Sequence, residues 1–275
     1  MATLQVLRKR FKSIQATADM ASAMKTASSV KYAKISRVLT NVEDYSRACD
    51  ETLSLFGNAV LNRHVSTVKS RNCLVLFSNN RGFCGGFNGE VLRFFENQLE
   101  AETEAPLLLI FGQKGWAFCE AKGLEFEKLV LPDIPEYADA ETLTAKLFEL
   151  YASGEVNRID LIFQRFVNMM TQTPTAETVL PHPEQAAEKE QDLLFLPDRE
   201  TAMQAPAMYC FTNSIYGIML RHCAGIQAAT TIAMRSACDN AEESLEKLGI
   251  LINRIRQAEV TNSVIETSSF IKSEE

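Results

Sequence analysis

The segment best spaced for chemistry is the glycine-rich loop of residues 79–88, with the sequence NNRGFCGGFN. It follows a predicted strand and precedes a predicted helix, the position at which free helix N–H groups attract phosphates. The loop matches neither GxGxxG nor GxxxxGK[ST], and no acidic residue is well spaced to hold a ribose. The sequence therefore favours a tight structural turn over a nucleotide site, and we expect no cofactor.

Cys84 in this loop precedes a helix N-terminus, which can activate a thiolate. The chain has three histidines, His64, His182 and His222, and each stands alone, so none is placed to serve as a base. A buried, small apolar Cys84 is therefore favoured over a nucleophile. The seven cysteines form no CxxC or Cys/His cluster. This predicts reduced thiols, no metal site and no catalytic residue.

A basic cluster lies near the start of the chain, and residues 1–40 hold eight Lys or Arg against Asp19 alone. Because the whole chain has a net charge of −7, the remainder is strongly acidic. The basic arm is typical of a surface for nucleic acid, anionic lipid or an acidic protein, of a transit peptide, or simply of a solvated helix face. The cluster consists of Arg8, Lys9, Arg10 and Lys12.

Two long helices must position these residues. No proline occurs in residues 1–105 or 207–275, and the first glycine is Gly57. Apolar residues recur at steps of three and four in both segments, which is a heptad seam. We predict helices over about 3–60 and 207–270. The first seam begins Leu4, Leu7, Phe11, Ile14, Ala18 and Ala21. On the last helix, a register through Leu248, Leu251 and Ile255 overlaps one through Ala241, Leu245, Leu248, Ile252 and Ile255.

The middle of the chain alternates between strands and helices. Short apolar runs at 72–77, 106–111 and 159–163 predict buried parallel strands, with further strands at 126–131 and 176–180. Helical spacing occurs at 87–99 and 143–150, with Asp139 as the expected N-cap, and residues 184–192 are expected to form a solvated loop. The predicted fold is α/β, a long antiparallel coiled coil of the N- and C-terminal helices plus a central Rossmann-like doubly wound α/β domain. We place its parts at 1–62, 70–200 and 207–275.

The last helix should outreach the first. If both are rooted at the same end, about 13 residues protrude at 1.5 Å each. These include Val264, Ile265, Phe270 and Ile271, and an unpaired helix with exposed aliphatic residues is unstable in water. The sequence predicts that this tip sits in a sleeve made by another protein. No apolar run is long enough to cross a bilayer, and no secretory signal is expected.

Several motifs resemble the gamma subunit of the F-type ATP synthase. Residues 4–14 (LQVLRKRFKSI) resemble the family's opening helix, and Ala23-Met24-Lys25 is similar to its Ala-Met-Lys step. Residues 81–88 resemble its RGLCGG.N loop, residues 111–115 its second strand and Lys-Gly turn, and residues 238–243 and 253–258 the signatures of its closing helix. The order of these motifs matches throughout, although Asn79-Asn80 replaces the usual Ser-Asp.

This resemblance implies a rotary shaft that is itself non-catalytic and couples ion translocation to ATP synthesis or hydrolysis. The implied partners are the alpha and beta subunits of a hexameric ring, the epsilon subunit and the membrane c-ring. The implied location is peripheral, on the cytoplasmic face of the bacterial plasma membrane, with an indirect membrane association and no nucleic acid. The resemblance assigns partner contacts to seven residues, with a foot role for the loop around Arg81: Lys9, Arg10, Met24, Lys25, Arg81, Arg256 and Gln257.

Two other classes of function stay open from the residues alone. One is an α/β enzyme with a dimerising coiled coil, which would need a nucleotide or acid–base constellation that the sequence does not present. The other is a basic coiled-coil adaptor for nucleic acid or lipid, which would bind either in a salt-sensitive way.

Overall fold

A computed structural model describes residues 4–56, 71–181 and 198–272. The chain divides into two compact units. One holds the residues up to Ala27 and from Thr231 onward, and the other holds Ser28–Thr230. The three parts predicted from the sequence, at 1–62, 70–200 and 207–275, are successive segments of the chain, and this division stays a prediction. The expected loop at 184–192 and the helical residues expected at 57–60 lie outside the described residues.

The described part of the Ser28–Thr230 unit contains a five-stranded sheet in the order β3-β2-β1-β4-β5. The first four strands pair in parallel, and β5 pairs antiparallel with β4. Val75 at the centre of the sheet lies opposite Leu109 and Leu161. Pro174 lies on the outermost strand, where a missing backbone donor is tolerated. The strands are β1 Asn72–Phe77, β2 Leu107–Phe111, β3 Glu127–Leu129, β4 Arg158–Phe166 and β5 Gln172–Leu180.

Three helices cover the sheet: α2 Phe87–Ala101, α3 Gln113–Lys122 and α4 Tyr137–Ala152. Alternate strand residues bury opposite faces, which explains why the strands read as continuous apolar runs. Val75 and Phe77 belong to the core that includes α4, whereas Leu74 and Leu76 belong to the core with α2 and α3. This arrangement confirms the doubly wound α/β interpretation.

Helix α3 is an addition to the sequence prediction, which had only a turn after β2. Its third residue is Gly115, a poor helix former. A Cβ on this glycine would lie 2.7 Å from Ile110 Cγ2 and 2.9 Å from Ser78 Oγ. The glycine therefore serves the close approach of α3 to β1 and β2, and the tertiary contact outweighs the propensity cost.

The N-cap predicted for α4 was wrong by three residues. Glu136 is the cap, and Asp139 is the third helical residue of a capping box. The Asp139 carboxylate accepts a hydrogen bond from the backbone N–H of Glu136 at 2.7 Å. Asp139 thus contributes to the N-terminal cap from inside the first turn of α4, because its side chain satisfies the backbone N–H of Glu136.

The two long helices are α1 Leu4–Phe56 and α5 Arg199–Lys272. Helix α5 begins eight residues before the predicted start, and Pro206 lies inside it. Asp198 caps the new start, because Thr201 donates both its backbone N–H and its hydroxyl to the Asp198 carboxylate, each at 2.9 Å. Pro206 removes one helical hydrogen bond but does not end the helix.

Within the Ser28–Thr230 unit, α1 and α5 pair antiparallel. Asn213 Nδ2 donates to Ser46 Oγ at 2.8 Å, and Cys210 Sγ lies 4.0 Å from the carbonyl oxygen of Cys49. Further along, Arg221 forms an ion pair with Glu43 at 3.6 Å. The α1 seam is buried here as predicted, and its break at Ser46 is filled by the polar partner. The buried seam residues are Ile35, Leu39, Val42 and Cys49.

Within the other unit, the two helices also run antiparallel. Ala21 packs with Met234 and Cys238, and Cys238 Sγ lies 3.9 Å from the carbonyl oxygen of Ala18. Of the two overlapping registers on α5, the one through Ala241 and Ile252 faces inward, whereas Leu251 is 41% exposed. The long antiparallel coiled coil of the prediction is confirmed in each unit taken by itself.

Candidate partner-contact surfaces

The basic arm is an exposed face of α1. Lys9 and Arg10 are exposed, as are Arg8 and Lys12 beside them. Across the described chain, none of these four side chains forms an ion pair, although surface lysines elsewhere do so. Four uncompensated charges on one helix attract an acidic surface, and such contacts weaken with salt.

Met24 and Lys25 lie at the edge of the helix pair. Met24 is half-buried and packs against the cluster of Ala21, Met234 and Cys238. Lys25 is also half-buried, although it occupies a seam position. A long lysine side chain can lie along the apolar seam and keep its ammonium group in water.

Arg256 and Gln257 lie where α5 loses its cover. Every residue from Arg256 to Ile265 is exposed, including Val260, Val264 and Ile265. In an antiparallel pair, each step back along α1 matches one step forward along α5. Counted from the Ala18–Cys238 contact, the first described residue of α1 therefore lies level with about residue 252 of α5. The exposed stretch therefore begins where α1 can no longer pair with it. The side chains of Phe270 and Ile271 lie outside the described residues.

The central loop is held by its own polar side chains. The Asn88 carboxamide accepts from the backbone N–H of Asn79 at 3.1 Å and donates to the carbonyl oxygen of Arg81 at 3.3 Å. Asn79 Oδ1 in turn accepts from the backbone N–H of Arg81. Asn80 donates to the carbonyl oxygen of Leu131 and accepts from the backbone N–H of Gln113. Asn79 and Asn88 therefore hold the loop internally, and Asn80 ties it to neighbouring segments.

Arg81 is presented to solvent by this framework. Its side chain is exposed and makes no hydrogen bond or ion pair with any described residue. The turn that follows contains Gly85 at φ 58° and Cys84, which is buried against Phe87 and Ile226. The buried Cys84 agrees with the structural turn favoured from the sequence.

Phe83 is the feature of this loop that the sequence analysis missed. Its φ is 63°, in the left-handed region, and it is the one non-glycine residue with positive φ in the described chain. A bulky side chain in this region is strained. Phe83 is nevertheless 60% exposed, so burial of its ring within this chain does not compensate the strain. Gly82 and Gly85 mark a turn, but the residue type at position 83 does not signal a left-handed conformation.

A second exposed apolar feature is the turn between β4 and β5. Val167, Met169 and Met170 are exposed there, Met170 by 79%. Asn168 Oδ1 accepts from the backbone N–H groups of Met170 and Thr171, each at 2.9 Å. The turn is thus internally hydrogen-bonded and presents its apolar side chains in a defined arrangement.

His222 is a fully buried titratable group near the central loop. The backbone N–H of Gln164 donates to its Nδ1 at 3.2 Å, and its ring packs tilted against Phe77 and Phe87. Burial lowers the pKa of His222 to about 3. The histidine is therefore neutral and packs the core.

The cysteines are enclosed by the rest of the chain. All seven are free and buried. Burial raises the pKa of Cys73 to about 12 and that of Cys119 to about 11, which disfavours the nucleophilic thiolate. The described residues contain no cluster of three potential metal ligands.

The seven predicted contact residues fall into separate groups. Lys9, Arg10, Met24 and Lys25 lie on α1, and among described residues no hydrogen bond or ion pair joins them to Arg256 or Gln257 on α5. Arg81 belongs to the other unit. Their roles toward partners stay predictions.

Comparison with known proteins decides the family. A family model described as ATP synthase matches residues 3–269, which is nearly the whole chain. The chain belongs to the ATP synthase family. An ATP synthase gamma chain from Heliobacterium modesticaldum is 28% identical over 282 residues, with 97% of each chain covered. The resemblance to the gamma subunit that the motifs indicated is therefore confirmed.

Solved structures of the family show the same fold. One is the rotor of the Euglena gracilis mitochondrial ATP synthase in rotational state 1, with a TM-score of 0.64, 15% identity, and 94% of this chain and 98% of that chain covered. Another is the OSCP/F1/c-ring assembly of the same enzyme in rotational state 3, with a TM-score of 0.68, 15% identity, and 98% and 94% covered. No helix among residues 4–56, 71–181 and 198–272 is long and apolar enough to span a membrane.

Proposed function

We propose that this chain is the central-stalk rotor of an F-type ATP synthase. It transmits torque between an ion-driven membrane ring and the catalytic ring of alpha and beta subunits, and it is non-catalytic itself. Its further partners are the epsilon subunit and the membrane c-ring. It associates with the cytoplasmic face of a bacterial plasma membrane through the complex.

One observation carries the proposal beyond family membership. The last part of α5, from Arg256 to Ile265, is helical yet uncovered on all sides, with aliphatic Val260, Val264 and Ile265 among its side chains. Exposed helices of this kind gain their stability from a partner surface. A sleeve formed by a ring of other chains supplies it, and non-directional apolar contacts allow a helix to turn inside such a sleeve.

Coupling follows from differential contact. An asymmetric shaft touches each catalytic subunit differently, and it therefore shifts each subunit among conformations with different nucleotide affinity. The unpaired charges of Lys9 and Arg10 suit contacts with acidic segments of the beta subunits that are made and broken repeatedly. Met24, Lys25, Arg256 and Gln257 complete the ring-facing set in this proposal, and Arg81 belongs to the foot.

The test is affinity purification of the tagged full-length chain from native membranes, with quantification of every co-purifying chain. A rotor is expected at one copy per ring of three nucleotide-binding subunit pairs. Recovery as a homodimer without nucleotide-binding subunits would contradict the proposal and favour the enzyme alternative. Salt-sensitive recovery with nucleic acid alone would favour the adaptor alternative.

A further inference from the structure

A short segment between β3 and α4 touches both long helices. It consists of residues 131–135, with the sequence LPDIP, and we call it the connector. Proline fixes its own φ at about −65° and holds the preceding residue in an extended conformation. Pro132 and Pro135 therefore restrict themselves and the residues before them. The connector is stiff for this reason, although it is neither helix nor strand.

Two side chains of α5 hold the carbonyl groups of the connector. The Tyr216 hydroxyl donates to the carbonyl oxygen of Pro135 at 3.3 Å, and Cys223 Sγ lies 3.8 Å from the carbonyl oxygen of Pro132. Tyr216 and Cys223 are both buried. They are seven residues apart, which places them on the same helix face two turns from one another. The connector thus lies along one face of α5 over about 10 Å.

The connector is also tied to α1 and to the rest of the α/β domain. The Asp133 carboxylate forms an ion pair with Lys31 of α1. Asn80 Nδ2 donates to the carbonyl oxygen of Leu131 at 3.0 Å, and the Leu131 side chain is buried in the core that α1, α4 and α5 share. The cavity between the connector, Asn80 and α5 has a volume of about 10 Å³, which holds one water at most. Close packing therefore leaves the connector little freedom relative to either helix.

Contact with both helices matters because a rotor must turn as one body. Apolar packing between the α/β domain and the helices is non-directional and resists sliding only weakly. Hydrogen bonds and ion pairs have a preferred geometry, so they resist a change in the angle between the parts that they join. A twist applied to the α/β domain thus reaches α5 through Tyr216 and α1 through Lys31 at the same time.

We propose that the connector is the joint through which the α/β domain turns α1 and α5 together, with Asp133 and Tyr216 as its positioning residues. The inference rests on the proposed function, since it names the internal contacts that carry torque within the same rotor. Loosening either contact leaves the nucleotide chemistry of the catalytic ring intact. The joint then yields only when rotation works against a load.

The test uses vesicles of native membranes that contain the whole complex, with the chain replaced by each variant in turn. ATP hydrolysis is first measured with an ionophore, so that rotation meets no opposing ion gradient. The steady ion gradient that ATP hydrolysis builds is then measured without the ionophore, and both values are normalised to the amount of chain present. Asp133→Lys and Tyr216→Phe are each expected to lower the steady gradient at least about twofold, with unloaded hydrolysis unchanged.

A charge exchange separates the specific contact from a general loss of stability. Lys31→Asp combined with Asp133→Lys re-forms the ion pair with opposite polarity, and it is expected to restore at least about half of the gradient that Asp133→Lys loses. The matched control is Glu120→Lys, which breaks the 2.7 Å ion pair between Glu120 and Lys128. That pair is also partly exposed but joins two elements of the α/β domain, α3 and β3. The control is expected to keep the original gradient.

Three results would overturn the inference: an unchanged gradient in both Asp133→Lys and Tyr216→Phe, a charge exchange that restores nothing, or an equal loss in Glu120→Lys. Tyr216→Phe keeps the ring and its packing, so it remains informative if a charge variant assembles poorly. The proposed function is scored separately by co-purification from the same membranes. If nucleotide-binding subunits do not co-purify with the original chain, the rotor proposal fails. If they do, and the connector variants build a normal gradient, the joint alone fails.

Discussion

The buried His222 makes the stability of the Ser28–Thr230 unit depend on pH in a calculable way. The ring is fully buried, and its pKa falls to about 3 from an ordinary value of 6.5 because burial disfavours the charged form. It faces Phe77 from β1, Phe87 from α2 and the backbone of Gln164 from β4. The nearest carboxylate on this network is Glu90, which Gln164 contacts at 3.5 Å.

The sign of the effect follows from proton binding. Between pH 6.5 and pH 3 the unfolded chain protonates this histidine and the folded chain does not, so acid stabilises the unfolded state. The stability contribution is therefore fully present above pH 6.5 and is lost as the pH falls. With about 1.4 kcal/mol per pH unit, the loss between pH 7 and pH 4.5 is about 2.5 kcal/mol.

The matched variant is His222→Asn, whose side-chain oxygen can accept from the Gln164 N–H but does not titrate. Urea unfolding followed by the fluorescence of Trp116, the only tryptophan, reports on this unit. The variant loses packing at every pH, so only the slope is diagnostic. We expect the free energy of unfolding of the original chain to fall about 2.5 kcal/mol more than that of the variant. Because His64 and His182 are common to both proteins, their contributions cancel. Parallel pH profiles within about 0.5 kcal/mol would refute the assignment of a buried neutral histidine.

Three further predictions address other parts of the chain. Gly112→Ala should lower the free energy of unfolding by more than about 2 kcal/mol, because the φ of Gly112 is 89° and the Cβ of the alanine would lie 2.2 Å from the Ser78 carbonyl oxygen. An unchanged urea midpoint would contradict this. Limited proteolysis of the isolated chain should cleave first beyond Arg256, where α5 is uncovered, and protection of residues 262–275 in a purified monomer would count against an unpaired tip. Arg256→Ala with Gln257→Ala should reduce ATP synthesis in reconstituted vesicles while leaving the circular dichroism spectrum unchanged, and normal synthesis would remove these residues from the coupling surface.

Burial periodicity made most of the fold predictable. The seam residues Ile35, Leu39 and Val42 are buried because a heptad spacing places them on one helix face, which the sequence displays directly. The strands at 72–77 and 107–111 are visible for the same reason, since both sheet faces are covered.

Features that depend on distant contacts could not be predicted. Helix α3 contains Gly115 and shows weak amphipathic spacing, so its packing against the sheet and α2 is what stabilises it. The two overlapping registers of α5 differ by single residues, and the position of α1 decides that Ile252 rather than Leu251 turns inward. The burial of His222 and the left-handed Phe83 likewise arise from tertiary packing and turn geometry, which the motifs alone do not encode.

The hydrogen bond between Asn213 and Ser46 limits how α1 and α5 can slide along one another. Asn213 is buried, and its amide meets the hydroxyl at 2.8 Å, where the seam is otherwise apolar. A shear of one residue, about 1.5 Å, would strand this amide among sulfur and carbon atoms at a cost of about 1–3 kcal/mol. The polar pair therefore resists sliding of one helix along the other, so that an axial load on one helix is borne by both.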